Sequence, residues 1–267
     1  MSIFNQEALL DKIVNGLFEN SSSLVKEYIF ILDGCVDNSS LVLENVLKKI
    51  PLDTSYKVFI APNVYEIRSN NIGLKAATQP YVCIVQDDML ICEKNWDQRM
   101  VKPFFYFDDI FAITSRTTCS LNSNGKWIDC IEGPIGHNYG KSTSISRDKL
   151  YIGQVVNRGP LMFDHDKLKE LGYLDETLPF VQNADDCDLC MKAFIRHKWR
   201  CGTYWIYYNS PLLWGTSRKS PNKNYLFKHY EDNVKELLKR YPELIKTWNS
   251  NEVRELPDSF PLYPIKH

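Results

Sequence analysis

The sequence lacks long hydrophobic runs, and it lacks an excess of either charge. No apolar stretch among its 267 residues reaches the ~20 residues that a membrane-spanning helix needs. The 32 Lys and Arg balance 33 Asp and Glu, and the net charge of −1 gives no global field that would attract nucleic acid or an acidic membrane. Residues 1–7 lack a basic region followed by an apolar one, so we expect no signal peptide. These absences favour a cytoplasmic protein with no integral membrane segment and no nucleic-acid partner, with peripheral attachment to a membrane as the alternative.

The eight cysteines do not indicate a disulfide framework. Five of them lie in or beside apolar segments, where cysteine acts as a small core residue: Cys83, Cys92, Cys187, Cys190 and Cys201. This usage favours a reducing compartment. Cys187 and Cys190 form a C-x-x-C, but the sequence has no second such pair and no nearby pair of histidines. A zinc site is therefore not predicted.

One stretch organises the rest of the chain. Residues 81–85 form an uncharged run typical of a strand buried on both faces, and Asp87 and Asp88 follow it. Two anions at the end of a buried strand are unfavourable unless a cation lies close, and a divalent ion shared with a phosphate would supply that charge. Ligands of open α/β sheets also bind at the carboxyl ends of the strands. A loop that only caps the next element is the alternative, and this stretch alone favours neither interpretation.

The first part of the sequence alternates between strand and helix patterns. We predict strands over residues 2–4, 27–32, 56–60 and 81–85, separated by helices over 6–17, 41–49 and 67–77. Such an alternation predicts a parallel, doubly wound sheet with right-handed crossovers.

The pattern changes after Asp97. Residues 104–114 are an apolar stretch that ends in a predicted strand, and residues 115–140 are a long loop or hairpin region of the kind that carries function. Further along we predict strands over 158–163 and 201–208, helices over 166–171, 189–197 and 225–241, and a proline-rich tail from residue 252. Pro242 is expected to end the last helix.

Carboxylates cluster at three places, each after a predicted strand or at the start of a helix. The clusters are Asp33 with Asp37, Asp87 with Asp88, and Asp185 with Asp186 and Asp188. Acids are favoured at helix N-termini for structural reasons alone, and for Asp37 and Asp188 this explanation is as good as a functional one. Together, the three clusters suit an enzyme that binds a nucleoside diphosphate through a metal and also needs a general base.

Six motifs in the same order resemble those of the family-2 glycosyltransferases, which are inverting enzymes with the GT-A fold. They are the opening Phe4-Asn5-Gln6-Glu7, a D-G-S-x-D-x-S-like turn at 32–39, an N-x-G-x-x-x-A-like helix at 71–76, the D-x-D-type Gln86-Asp87-Asp88, a G-G-F-D-E-like segment at 171–176 and an E-D-x-D-L-x-x-R-like segment at 185–193. The resemblance implies one α/β GT-A domain over residues 1–267, with a Rossmann-like, mixed but mainly parallel sheet flanked by helices. Within it we expect a nucleotide-sugar-binding half (1–114), an acceptor-binding and catalytic half (115–220) and a C-terminal helix with an extended tail (221–267).

The same resemblance implies a role for each matching residue. Asp33 would bind the donor's base, usually a uracil, and Asp88 would bind Mn²⁺ or Mg²⁺ bridging the diphosphate. Asp186 would be the catalytic base, and Asp185 would contact the acceptor or orient that base. Further nucleotide contacts are expected from Phe4, Asn5, Glu7, Arg68 and Asp87. Asp87 would lie near the ribose or the metal, and a surface salt bridge is an equally good interpretation of Arg68.

One departure from the family concerns the segment after the late strand. Many relatives carry a His there, whereas this sequence offers Trp214 for sugar stacking and Arg218 and Lys219 for phosphate charge. Those two could equally be solvated surface charges. The predicted function is metal-dependent transfer of a sugar from a nucleotide-sugar donor to a glycan, lipid-linked or protein acceptor. The alternatives are a degenerate domain that binds without turnover, and a nucleotidyltransferase, which would favour a Gly-rich basic loop that the N-terminus lacks.

Overall fold

The computed structural model describes residues 1–133, 145–178, 185–215, 223–248 and 252–257, and these form an α/β domain. The strands are β1 (Ser2–Ile3), β2 (Glu27–Asp33), β3 (Ser55–Ala61), β4 (Tyr81–Ile84), β5 (Leu90–Ile91), β6 (Ile110–Thr114), β7 (Thr117–Leu121), β8 (Trp127–Glu132), β9 (Lys149–Gly153), β10 (Val155–Asn157), β11 (Leu161–Asp164), β12 (Arg200–Thr203), β13 (Tyr208–Asn209) and β14 (Glu252–Glu255). The helices are α1 (Glu7–Asn20), α2 (Ser39–Leu47), α3 (Tyr65–Ala76), α4 (Trp96–Tyr106), α5 (His165–Leu171), α6 (Asp185–His197), α7 (Lys223–Arg240) and α8 (Pro242–Thr247).

The predicted alternation of strands and helices up to β4 is confirmed. Strands β1, β2 and β3 form a parallel sheet in that order, with β2 pairing along its full length with β3. The helices between them bury one apolar face each; in α1 this face consists of Leu10, Ile13, Val14 and Leu17.

The prediction that the fourth strand extends this parallel sheet is wrong in its pairing. Strand β4 pairs antiparallel with β11, at the edge of a six-stranded sheet in the order β14-β9-β12-β6-β11-β4. Because β1 has only two residues, it pairs with β2 only at Ile31 and Leu32. A cavity of about 620 Å³ is lined by the remainder of β2 and by β4. Parallel and antiparallel pairing are thus mixed, as predicted, but among the described residues parallel pairing occurs only within β1–β3 and between β6 and β12.

The second half contains more strands than the sequence pattern predicts. Residues 115–140 were predicted to be a long loop or a hairpin region, and they include the hairpin β7–β8. Strand β10 pairs with the other edge of β7. Helix α4 and strands β9 and β14 were not predicted; β14 adds an outer strand to β9. Pro242 begins α8 instead of only ending α7, because proline is well accommodated in the first turn of a helix.

The apolar side chains form two buried clusters. One joins α1, α2 and α4 to strand β2, and the other joins α3, α5 and α6 to strands β6 and β11. None of the described helices is both long enough and apolar enough to cross a membrane. The carboxylate clusters that the sequence singled out lie at strand ends and at the start of α6, outside these clusters of apolar residues.

Candidate active site

Asp87 and Asp88 lie in the turn just beyond the end of β4. The backbone N–H of Phe4 donates a 2.9 Å hydrogen bond to Oδ2 of Asp87, which links the end of β1 to this turn. Burial, followed by the negative charges of Asp88 and Glu66, raises the pKa of Asp87 to about 7. Three carboxyl groups that disfavour one another's ionisation therefore gather at the end of β4.

Glu66 and Arg158 connect this turn to the second acidic cluster. Glu66, in the first turn of α3, accepts a 2.7 Å hydrogen bond from Nε2 of Gln86 and lies 2.6 Å from Nη1 of Arg158. The guanidinium of Arg158 is buried and also pairs with Asp185. Burial alone would lower the pKa of Arg158, but Asp185, Glu66 and Asp186 raise it above its ordinary value, so the side chain stays cationic. One buried cation thus faces three carboxyl groups.

Asp186 is held by backbone N–H groups. Its Oδ2 accepts a 3.0 Å hydrogen bond from the N–H of Arg158, and its Oδ1 accepts one of 2.9 Å from the N–H of Cys187. The residue is only 1% exposed. Burial, followed by the charge of Asp185, raises the pKa of Asp186 to about 7, although Arg158 counteracts this. A carboxyl group that titrates near neutrality and is fixed in orientation is suited to proton transfer.

Asp33 ends β2 and organises the loop that follows β3. Its Oδ1 accepts a 2.6 Å hydrogen bond from the N–H of Val64, and burial raises its pKa in spite of the N–H groups of Val64 and Tyr65. The next residue, Gly34, has φ of 69°, and a Cβ there would lie 2.5 Å from Cβ of Asn63. The expected sharp turn therefore requires glycine, and it leaves Asp33 at the carboxyl end of the parallel sheet.

The opening motif contacts the turn that precedes α2. The Oδ1 atom of Asn5 accepts a 2.8 Å hydrogen bond from the N–H of Val36. Glu7 makes two hydrogen bonds to the same turn. Its N–H donates to the Asp37 carboxylate, and its carboxylate accepts from the N–H of Asn38. Although burial alone would raise the pKa of Asp37, hydrogen bonds from Ser39 and the Glu7 amide lower it. The structural interpretation of Asp37 fits these contacts, and nucleotide binding by Asn5 and Glu7 stays a prediction.

Asn71 joins two of the motifs that are distant in sequence. Its side-chain amide donates to the carbonyl of Leu174 at 2.9 Å and to Glu176 at 2.8 Å, and its Oδ1 accepts from the N–H of Leu174 at 3.1 Å. Arg68, on the same helix, lies 4.0 Å from Glu176. The loop after α5 is thereby fixed to α3, and Arg68 is placed beside that loop.

The other predicted site residues lie around this centre. Trp214 lies near the start of α1, since its carbonyl accepts a 3.1 Å hydrogen bond from Gln6 and its ring lies 5.2 Å from Nζ of Lys12. Arg218 and Lys219 are outside the described residues. Asp188 lies in the first turn of α6, as the preference of acids for helix N-termini predicted. The helix begins at Asp185, so Asp188 is not its cap, and its carboxylate accepts hydrogen bonds from Arg240 and Tyr241.

Sequence reasoning gave no role to Arg158 or Glu66. Both are single charged residues outside the acidic clusters, and their importance depends on a contact between segments far apart in the sequence. The local signal was that Arg158 begins the strand predicted over 158–163, at a Gly-Pro turn.

The chemistry of the turn after β4 fits a hard divalent cation. Its ligand atoms are carboxylate oxygens. The pKa of Asp87 is raised by burial and then by the charges of Asp88 and Glu66, and a cation close to these groups would favour the ionised carboxylate. In the part of the chain that the structure describes, no three His, Cys, Asp or Glu side chains are arranged to hold a metal by themselves. Asp87 and Asp88 would therefore share an ion with oxygens of a bound phosphate, which is how Mg²⁺ is often held.

Three solved structures have a similar fold at low identity. The mannosyltransferase PcManGT from Pyrobaculum calidifontis, in complex with GDP-Man and Mn²⁺, is 14% identical with a TM-score of 0.56, and the match covers 76% of this chain and 52% of that one. TarS 1–349 from S. aureus is 16% identical with a TM-score of 0.54, over 89% and 64% of the two chains. GalNAc-T7 with UDP, GalNAc and Mn²⁺ is 13% identical with a TM-score of 0.62, over 91% and 49%. The chain therefore spans between about half and two thirds of the length of these proteins.

These similarities show that the domain has the GT-A fold, as the sequence motifs implied. No curated protein matches the sequence at a significant level. The model of one family does match, that of Glycosyl transferase family 2, and it extends over residues 1–171, which is more than half of the chain. The matched region includes the acidic turn after β4, Glu66 and Arg158. The chain belongs to glycosyl transferase family 2.

Proposed function

We propose that this chain is an inverting glycosyltransferase. It moves a sugar from a nucleoside diphosphate donor, with a UDP-sugar as the first candidate, to a hydroxyl group of a glycan, lipid-linked or protein acceptor. The observation that carries this proposal is the position of Asp186. Its buried carboxyl group has a pKa of about 7 and is connected through Arg158 and Glu66 to the acidic turn after β4.

Asp186 is the general base of the proposed reaction. The proton of the acceptor hydroxyl moves to a carboxylate oxygen of Asp186 while the hydroxyl oxygen attacks the anomeric carbon. The bond from that carbon to the diphosphate breaks on the opposite face, so the configuration inverts and the nucleoside diphosphate leaves. The N–H groups of Arg158 and Cys187 hold the carboxylate in a fixed orientation during this step.

Asp87 and Asp88 would hold the divalent ion, Mn²⁺ or Mg²⁺, together with the phosphates of the donor. When bound, the ion neutralises charge on the diphosphate leaving group. Asp185 acts on the base through its ion pair with Arg158, and an additional contact with the acceptor is part of the proposal.

The donor's base and ribose are assigned to the carboxyl ends of β1 and β2. The groups at these ends are Asp33 and the opening motif, and the Phe4 N–H joins the opening motif to the acidic turn. Trp214, beside α1, is a candidate for contact with the donor sugar, as are Arg218 and Lys219. The neighbouring structures contain UDP in one case and GDP-Man in another, so donors with both bases belong in the test.

The experiment measures nucleoside diphosphate release from a panel of UDP- and GDP-sugars, with and without Mn²⁺, together with donor binding by thermal shift. Asp186→Asn should abolish release and leave donor binding nearly unchanged. Asp88→Asn should remove the metal-dependent part of the thermal shift. Asp166→Asn, which alters a carboxylate on the exposed side of α5, is the matched control.

Two outcomes would contradict the proposal in different ways. Sugar transfer that survives Asp186→Asn would remove Asp186 from the role of base. Donor binding without turnover by the unmutated chain, across the donor panel and a set of simple sugar acceptors, would favour the degenerate binding domain.

A further inference from the structure

Two cysteines face each other in the hairpin β7–β8. The strands pair Thr118 with Ile131 and Ser120 with Ile128, and the register shifts between these two pairs. Cys119 and Cys130 stand at this shift, with their Sγ atoms 2.6 Å apart and the Cys119 thiol donating to Cys130. The two side chains therefore project to the same side of the hairpin and contact each other directly.

The environments of the two sulfurs differ. Cys119 is only 2% exposed, whereas Cys130 is partly exposed. The hydrogen bond from Cys119 lowers the pKa of Cys130 and, on the other side of the pair, raises the pKa of Cys119. Because the thiolate is the reactive form of cysteine, Cys130 is the accessible nucleophile and Cys119 is positioned behind it.

None of the remaining six cysteines combines partial exposure with a pKa lowered by a neighbouring thiol. Cys35 and Cys83 are partly exposed, but burial raises the pKa of each. Cys187, Cys190 and Cys201 are buried, and burial raises the pKa values of Cys187 and Cys190. Cys92 is exposed, but burial of its sulfur raises its pKa, and no second cysteine contacts it in the described structure. All eight cysteines lie among the described residues, so Cys130 is the one whose pKa is lowered by a neighbouring thiol.

We propose that Cys119 and Cys130 form a redox-active pair, and that small disulfides of the glutathione class convert it to an intramolecular disulfide. The Cys130 thiolate attacks one sulfur of the small disulfide, forms a mixed disulfide and releases one thiolate. The Cys119 sulfur, after losing its proton, attacks the Cys130 sulfur of that mixed disulfide and releases the second thiolate. The protein loses two electrons and two thiol protons, and the small disulfide becomes two thiols.

The position of the pair defines what the bond would do. Cys119 also pairs with Val155 of β10, and β10 leads directly to Arg158, which holds Asp186. The bond would connect β8 covalently to the strand that lies beside β10. It would not contact the acidic centre, so oxidation is expected to stiffen the hairpin without removing a catalytic group.

The test treats the folded protein with oxidised glutathione and maps disulfide-linked peptides by mass spectrometry without reduction. The expected product is a Cys119–Cys130 link in the unmutated chain and in Cys92→Ser, and no such link in Cys130→Ser. The melting temperature of the linked form should exceed that of the reduced form by roughly 5 °C, and dithiothreitol should reverse the rise.

Modification of the exposed Cys92 serves as the internal control that the oxidant is active. A mixed disulfide on Cys92 with no Cys119–Cys130 link would overturn the proposal. A link that forms in urea but not in the folded protein would also overturn the proposal, because the folded hairpin would then not be what brings the two cysteines together. Since no sugar donor enters this test, its outcome is independent of the proposed transferase activity.

Discussion

Arg158 binds Asp186 through its main chain, with a 3.0 Å hydrogen bond from the N–H to Oδ2, and places its Nε 3.8 Å from the same oxygen. The rest of the guanidinium is directed to Asp185 and to Glu66. The proposed base is therefore oriented by a backbone group. Burial and the charge of Asp185 raise its pKa, and the cation that counteracts this rise is shared among three carboxyl groups. A base paired with that cation alone would have a depressed pKa and would accept protons poorly.

The pH dependence of transfer tests this arrangement. Asp186 accepts a proton only when ionised, so kcat/KM should rise with pH through a value near 7 and then level off. Asp185→Asn removes a like charge that raises the pKa of Asp186, so the rising limb should move to lower pH. Pre-steady-state or steady-state release of the nucleoside diphosphate over pH 5–9 gives the profile. An unchanged limb in Asp185→Asn, with Asp166→Asn as control, would mean that another group titrates.

Arg158→Gln should lower the stability of the fold. It leaves the buried Asp185 and Asp186 and the partly exposed Glu66 without their cation, and breaking a buried pair of this kind costs about 3–5 kcal/mol. The pKa values of Glu66 and Asp186 are already raised, so these groups can protonate at lower pH, and the loss should be smaller at pH 5.5 than at pH 8.

Urea unfolding at the two pH values measures this difference. Arg254→Gln is the matched control, because Arg254 makes a two-point pair with the partly exposed Asp109, and its loss should cost about 1 kcal/mol. Equal losses of unfolding free energy for the two substitutions at pH 8 would show that the Arg158 ion pairs contribute no more to stability than a surface pair.

Asp87→Asn should stabilise the metal-free protein at neutral pH while it weakens the donor site. The folded-state pKa of Asp87 is about 7 and its ordinary value is 3.8, so the folded protein binds more protons than the unfolded chain between these values. The contribution of Asp87 to stability is then fully present below about pH 4 and is lost as the pH rises through 7.

Asparagine cannot ionise, so Asp87→Asn should flatten that decline and gain about 2 kcal/mol at pH 8, a value reduced from the full shift because the side chain is partly exposed. Thermal unfolding in EDTA across pH 4–8 measures the gain, and Mn²⁺ with a donor should reverse the ranking. A variant less stable than the original at pH 8 without metal would mean that the ionised Asp87 carboxylate does not destabilise the folded protein.

Asn71→Ala should loosen the loop after α5. The side chain is 2% exposed and makes three hydrogen bonds to Leu174 and Glu176, so its removal leaves a buried N–H and a buried carbonyl without partners. A loss of about 2–3 kcal/mol is expected. Asn45→Ala, on the surface of α2, is the control and should change stability by less than about 0.5 kcal/mol. Protection of the Leu174 amide from hydrogen exchange should fall in Asn71→Ala. Full protection of that amide would show that Asn71 does not hold the loop after α5 against α3.

Part of this protein could be predicted from its sequence because the relevant information is local. Apolar periodicity determined α1, β2 and β3, and the run before Asp87 and Asp88 determined where a buried strand ends in charge. The glycine at position 34 could be predicted from the turn it must allow, and the GT-A fold from the order of six motifs. These features depend on side-chain spacing and backbone preference within a few residues.

Only the tertiary structure decided the remaining features, because each requires contacts between distant segments. The antiparallel pairing of β4 with β11 is such a contact, and so is the cavity left beside the two-residue β1. The local sequence does not reveal that Arg158 will be buried between Glu66 and Asp185. Nor does it reveal that Asp188, in the first turn of α6, will bind Arg240. Burial and charge pairing set the pKa of Asp186, and both are properties of the folded chain, since the same carboxyl group in an exposed loop would titrate near its ordinary value.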